Sequence, residues 1–287
     1  MNRHFCLVAA FTCSFSAATL WAQTTVVPPV SGPVTVVPQT VPVVPAVAPV
    51  VRPPAPRPPQ VPDPLAPPTV PNVLRYLNNP DLLRFSTQQV AEFNGRDADM
   101  IFLGDSITQG WRGAGEAVWE ANFVPRNALD FGIGGDQTQH VLWRMENYPI
   151  QRLHPKVAVV LIGTNNMRNT APEIADGVKA VLTKTQTMYP GIKIILVSIM
   201  PNKRANDLMM ATNEILKTFA DNRTIYYLDL VAVMTPVGDN WKGLGPDHLH
   251  PDAAGYQLWA DAMMPLLNKL LPPPPGGYAS DTVSRVK

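Results

Sequence analysis

Met100-Ile-Phe-Leu-Gly-Asp-Ser-Ile-Thr108 passes from an unbroken apolar run straight into a polar turn. A short continuous apolar run, rather than an alternating one, is what a strand buried on both faces of a parallel sheet requires. Val157-Ala-Val-Val-Leu-Ile162 and Ile192-Lys-Ile-Ile-Leu-Val-Ser-Ile199 repeat the pattern. Helical signals alternate with these runs. Thr170-Ala-Pro-Glu173 is a capping box, and Ile174, Val178, Val181 and Leu182 follow at helical spacing. The pattern predicts further helices over 137–147, 205–220 and 253–270. Strands alternating with helices imply a three-layer α/β/α sandwich whose site lies at the carboxyl ends of the strands.

These signals occupy only part of the 287 residues, and predict one domain over 74–271. Residues 1–22, MNRHFCLVAAFTCSFSAATLWA, carry Arg3, an uncharged run and then small residues. They read as a signal peptide cleaved after Ala18 or Ala22, with an uncleaved membrane anchor as the alternative. Residues 23–72 hold 17 prolines among Val, Ala and Thr. Proline fixes φ and lacks a donor, so 23–73 is expected to be an extended spacer without a packed core. Residues 272–287 read as a disordered tail. Cys6 and Cys13 both fall in the leader, so a processed chain would contain no disulfide, thiolate ligand or cysteine nucleophile. A net charge of +1 without clustering gives no reason to expect a nucleic-acid partner.

The polar residues gather where strands should end. Gly104-Asp-Ser-Ile-Thr108 puts Ser106 at the exit of the first strand. Phe131-Gly-Ile-Gly-Gly-Asp136 forms a second turn whose glycines let a ligand approach backbone N–H groups. It fails as a dinucleotide fingerprint, because the third glycine would fall at Gln137. Gly163-Thr-Asn-Asn166 places carboxamides at a third strand exit. Near the C-terminus, Asp247-His-Leu-His250 supports either a metal site or half of a catalytic triad. Asp105 and Asp136 are expected to satisfy N–H groups at helix starts, and Asp252 to cap the last helix. His140 and His154 read as non-catalytic, and Arg144, Trp111 and Trp143 as framework.

Taken in order, these four blocks resemble those of the SGNH (GDSL-type) hydrolases. A closer likeness is to the catalytic subunits of platelet-activating-factor acetylhydrolase, through Asp130–Asn147 and Gly163–Asn166. Asp130 departs from the Asn usual before Phe-Gly-Ile-Gly-Gly. The resemblance implies a mainly parallel five-stranded sheet of SGNH/flavodoxin-like type. It implies Ser106 as nucleophile, His250 as base and Asp247 as its orienter. The implied oxyanion hole comprises the N–H groups of Ser106 and Gly135 and the Asn165 amide. It also implies that Ile107, Thr164 and Leu249 crowd the acyl site, which points to a short acyl group, acetyl first. Chemistry agrees: a serine hydroxyl is a weak nucleophile and needs an adjacent base, and a carboxylate on the far ring nitrogen sets the tautomer. The expectation is an exported, metal- and cofactor-independent esterase acting on a small-molecule or polysaccharide ester. Its membrane contact would be confined to an uncleaved leader, and monomer and dimer both stay open. A lysophospholipase or thioesterase of the same fold, an idle binding module and a metallohydrolase using His248 and His250 are the rivals.

Overall fold

A computed structural model of the protein describes residues 67–273. The segment read as a leader, most of the proline-rich stretch and the tail from 274 onwards lie outside the described residues. In chain order the elements are α1 (Leu74–Leu77), α2 (Pro80–Phe93), β1 (Met100–Gly104), α3 (Ser106–Gln109), α4 (Glu116–Asn122), β2 (Ala128–Gly132) and α5 (Thr138–Asn147). There follow β3 (Val157–Leu161), α6 (Ala171–Met188), β4 (Lys193–Val197), α7 (Asn206–Lys217) and β5 (Ile225–Leu228). A small antiparallel pair, β6 (Pro236–Val237) and β7 (Asn240–Trp241), precedes α8 (Ala253–Leu270).

Strands β1–β5 form one parallel sheet in the order β2-β1-β3-β4-β5. Parallel neighbours need crossovers, and the helices supply them on both faces. Alternate side chains therefore enter different cores. Ile101, Leu103, Val160, Ile194 and Leu196 pack with Val141 of α5, Val178 of α6 and Met209 of α7. Met100, Phe102, Val159, Ile195 and Val197 pack with Val118 of α4 and Trp259 of α8. The second core is aromatic: the Trp111 ring lies 4.6 Å from Tyr256 and 4.9 Å from Trp259. Each large apolar side chain so buried contributes about 2–3 kcal/mol. Successive crossovers run to opposite sides of β1, so the crevice where ligands bind in such sheets opens between the ends of β1 and β3.

Thr170 and Glu173 close the expected capping box on α6, with Glu173 accepting the Thr170 N–H at 2.8 Å. Asp252 caps α8 by accepting the Gly255 N–H at 2.8 Å. One boundary needs correction. The spacer was expected to run to residue 73, yet the Pro68 carbonyl accepts the Thr138 hydroxyl at 2.9 Å, and the Asn72 N–H donates to the Gln139 carbonyl at 3.0 Å. Proline lacks a donor but keeps its carbonyl, so this segment, turned by the Val70 N–H on the Pro67 carbonyl, can still be laced to the start of α5. Among the described residues no helix is long and apolar enough to cross a membrane.

Candidate active site

The β1–α3 turn is shaped by backbone crowding. A Cβ on Gly104 would lie 2.0 Å from Thr108 Oγ1 and 2.5 Å from the Leu161 carbonyl. One on Gly132 would lie 2.1 Å from the Gln109 nitrogen. Only glycine lets the ends of β1 and β2 close on the start of α3, and that closure raises Ser106 at the first position of the helix. Asp105 caps α3 as expected, accepting the Ile107 N–H at 2.9 Å. Burial pushes the Asp105 carboxyl up to about 7 against the pull of that N–H, with the Asp136 charge adding to the rise.

The turn before α8 brings in the second group. Its ends are tied by the Gly245 N–H to the His250 carbonyl at 2.8 Å. Asp247 Oδ1 accepts the N–H groups of Leu249 and His250 at 3.1 and 3.0 Å. Its Oδ2 lies 2.5 Å from His250 Nδ1, while His250 Nε2 lies 2.8 Å from Ser106 Oγ, 144 residues away in sequence. Partial burial raises the Asp247 carboxyl, but the bonds from the His250 ring, the His250 N–H and the Leu249 N–H outweigh it and hold the group below its ordinary range. With the ring proton on Nδ1, Nε2 is free to receive the hydroxyl proton of Ser106. His248 stands outside this line, at φ +55, with its carbonyl accepting the Lys203 N–H.

The glycine and asparagine turns complete the rim. A Cβ on Gly134 would sit 3.6 Å from Ser106 Cβ, so this loop borders the hydroxyl. The Gly134 N–H donates to Gln109 Oε1 at 2.6 Å, and Gly135 holds φ +74. The Asn165 amide donates to the Asp136 carbonyl at 2.9 Å and faces Asp105 Oδ2 at 3.4 Å. Asn166 is buried instead, accepting the Thr138 N–H at the start of α5. Ile107, Thr164 and Leu249 are all buried, and Ile107 belongs to the aromatic core beneath α3.

Asp136 corrects an expectation. It does not cap a helix start; Gln137 and His140 form the capping box of α5. The Asp136 carboxylate instead receives Arg75 Nη1 at 2.8 Å, the Tyr76 hydroxyl at 2.6 Å and Arg144 Nε at 2.8 Å. Arg144 also donates to the carbonyls of Phe131 and Gly104, pinning the ends of β2 and β1 together. It is framework, as expected. His140 is buried, and burial together with the Arg75 and Arg144 charges pushes its imidazole down to about 3. Arg75, Tyr76 and Gln109 carry no motif, so nothing in the sequence marked them; only the folded chain brings them to the glycine loop.

Residues 102–258 match the model of the GDSL-like lipase/acylhydrolase family. The alpha1 subunit of platelet-activating factor acetylhydrolase IB from Bos taurus is 31% identical over 194 residues, covering 63% of this chain and 80% of that one. The alpha2 subunit from Homo sapiens is 39% identical over 132 residues, 45% of this chain and 57% of that subunit. Among solved structures, a Streptococcus pneumonia protein described as a platelet activating factor superposes with a TM-score of 0.54 at 20% identity, over 68% of this chain and 98% of its own. The chain belongs to the GDSL-like lipase/acylhydrolase family of hydrolases.

Proposed function

We propose that the protein is a serine esterase that removes short acyl groups, acetyl first, from a carbohydrate or lipid alcohol. The observation that carries this reading is the line Asp247–His250–Ser106, with 2.5 Å and 2.8 Å between its members. In the proposed reaction Ser106 Oγ bonds to the acyl carbon while His250 Nε2 takes its proton. The carbonyl oxygen, now negative, is received by the N–H groups of Ser106 and Gly135 and by the Asn165 amide. Collapse breaks the ester bond, His250 returns the proton to the departing alcohol, and an acyl-serine remains. Water, deprotonated by the same imidazole, then releases the acid and restores the serine. Asp247 holds the ring proton on Nδ1 and stabilises the imidazolium in both halves.

Acyl size is inferred from Ile107, Thr164 and Leu249, which the family resemblance sets at the acyl site and which are all buried. The relatives' names, acetylhydrolase subunits, point the same way. If the leader is cleaved, the enzyme works outside the cytoplasm, on a spacer that suits an envelope or environmental ester. Initial rates on aryl esters test the reading. We expect acetate to be cleaved at least about tenfold faster than octanoate, and Ser106→Ala to abolish turnover without altering the thermal melt. Activity is expected to persist in EDTA. Equal rates on acetate and octanoate would overturn the short-acyl assignment, and turnover surviving in Ser106→Ala would overturn the mechanism.

A further inference from the structure

We propose that Arg75 is a positioning residue for this reaction, acting on the peptide that presents the Gly135 N–H. The proposal rests on the esterase reading above. A trans peptide directs its carbonyl and its N–H to opposite sides. The carbonyl of the Gly134–Gly135 peptide accepts a hydrogen bond from Arg75 Nη2. The guanidinium lies directly against this unit, since a Cβ on Gly135 would come within 2.5 Å of Nη2. Holding the carbonyl on the Arg75 side turns the N–H the other way, and that N–H meets no acceptor among the described residues. Two successive glycines offer no side-chain resistance to a flip of this peptide, so an external grip is needed to keep one orientation. A charged donor on the carbonyl also polarises the amide and strengthens its N–H as a donor.

The same side chain reaches a second element of the site. Arg75 Nη1 bonds Asp136 Oδ1, and the Asp136 backbone carbonyl receives the Asn165 amide. One guanidinium thus steadies the loop from which both Gly135 and Asn165 take their directions. Asp136 itself keeps Tyr76 and Arg144 as partners, so its buried charge does not depend on Arg75 alone. Among the described residues, the grip on the Gly134 carbonyl is supplied by Arg75 alone. Its side chain is 29% exposed, at the rim rather than in the core. It arrives on α1, ahead of the 102–258 region that matches the family model. That short helix is held by the Asn72 N–H on Gln139 and by Tyr76 stacked on Trp143, 5.4 Å between ring centres.

The test compares the full chain with Arg75→Ala, Arg75→Lys and Ser106→Ala on an aryl acetate, measuring kcat, KM and thermal melts. Arg75→Ala is expected to lower kcat by about 10–10²-fold with KM changed by no more than about threefold, the pattern of a lost transition-state contact. Arg75→Lys should recover part of kcat. Millimolar guanidinium should partly restore Arg75→Ala through the exposed site and leave Ser106→Ala inactive. The proposal is overturned if kcat of Arg75→Ala stays within about twofold of wild type, or if only KM changes. It is equally overturned if Lys and Ala are equally impaired and guanidinium restores neither. Absence of Ser106-dependent turnover in the wild-type chain would instead refute the esterase reading on which it stands.

Discussion

Asp247→Asn separates geometry from chemistry in the proposed triad. Asparagine keeps Oδ1, which accepts the Leu249 and His250 N–H groups at 3.1 and 3.0 Å, so the turn should survive. It replaces Oδ2 with an NH2 group, 2.5 Å from His250 Nδ1 in the present geometry. Two donors cannot face each other, so Nδ1 must accept and the ring proton moves to Nε2. There it points at Ser106 Oγ, and the imidazole can no longer take the hydroxyl proton. In a buried triad the wrong tautomer costs about 10⁴ in kcat. Here the side chains of His250 and Asp247 are 37% and 47% exposed, so water can hold the productive tautomer part of the time. We therefore expect a loss of about 10²–10³-fold, or about 3–4 kcal/mol. KM should move little, because Asp247 does not touch substrate in the proposed mechanism. Stopped assays on an aryl acetate with a parallel thermal melt measure both quantities. A variant retaining more than about a third of wild-type kcat would refute the assigned role, and a loss matched by a collapsed melt would trace the effect to folding.

Three further outcomes follow from the same geometry. Asn165→Ala removes an amide held at the rim by the Asp136 carbonyl, and should lower kcat about 10²–10³-fold with a native melt; near wild-type turnover would exclude it from the oxyanion site. Arg144→Met strands the buried Asp136 charge with only Arg75 and Tyr76, at a cost of about 3–5 kcal/mol, which for a domain of this size lowers Tm by roughly 6–20 °C. A melt unchanged within error would show that the network contributes nothing. His140 titrates near 6.5 when unfolded and near 3 when folded, so the unfolded state takes up its proton first as pH falls. The stability it contributes is present above about 6.5 and is lost toward 3. His140→Gln keeps an acceptor for the Gln137 N–H but not the titration, so its melt should fall less over that window; parallel curves would contradict the assignment.

Much of this protein is legible in its sequence because the signals are local. Continuous apolar runs identified β1, β3 and β4, since a strand covered on both faces has no polar side to show. The Thr170–Glu173 capping box marked α6 for the same kind of reason, two backbone groups satisfied within one turn. Four short blocks were enough to bring Ser106, Asp247, His250, Gly135 and Asn165 together as candidates. β2 showed no such run, because Asp130 interrupts it. That carboxylate is buried mid-strand against Arg112 and the Gly132 N–H, and burial pushes it up to about 7.

What the sequence by itself determined was the alternation of strands and helices and the candidate residues for the proposed acyl transfer. Spacing, periodicity and side-chain type are properties of the chain read in one dimension. Only the tertiary structure decided the partners of Asp136, which turns from a helix start to Arg75, Tyr76 and Arg144, and the docking of Pro68 and Asn72 on α5. It likewise decided that Arg75 grips the Gly134 carbonyl. Apart from Arg144–Asp136, these contacts join residues about 60 to 70 positions apart through groups that carry no periodic signal. They exist because glycines let strand ends approach within van der Waals distance, and because charges buried there must find partners wherever the fold supplies them.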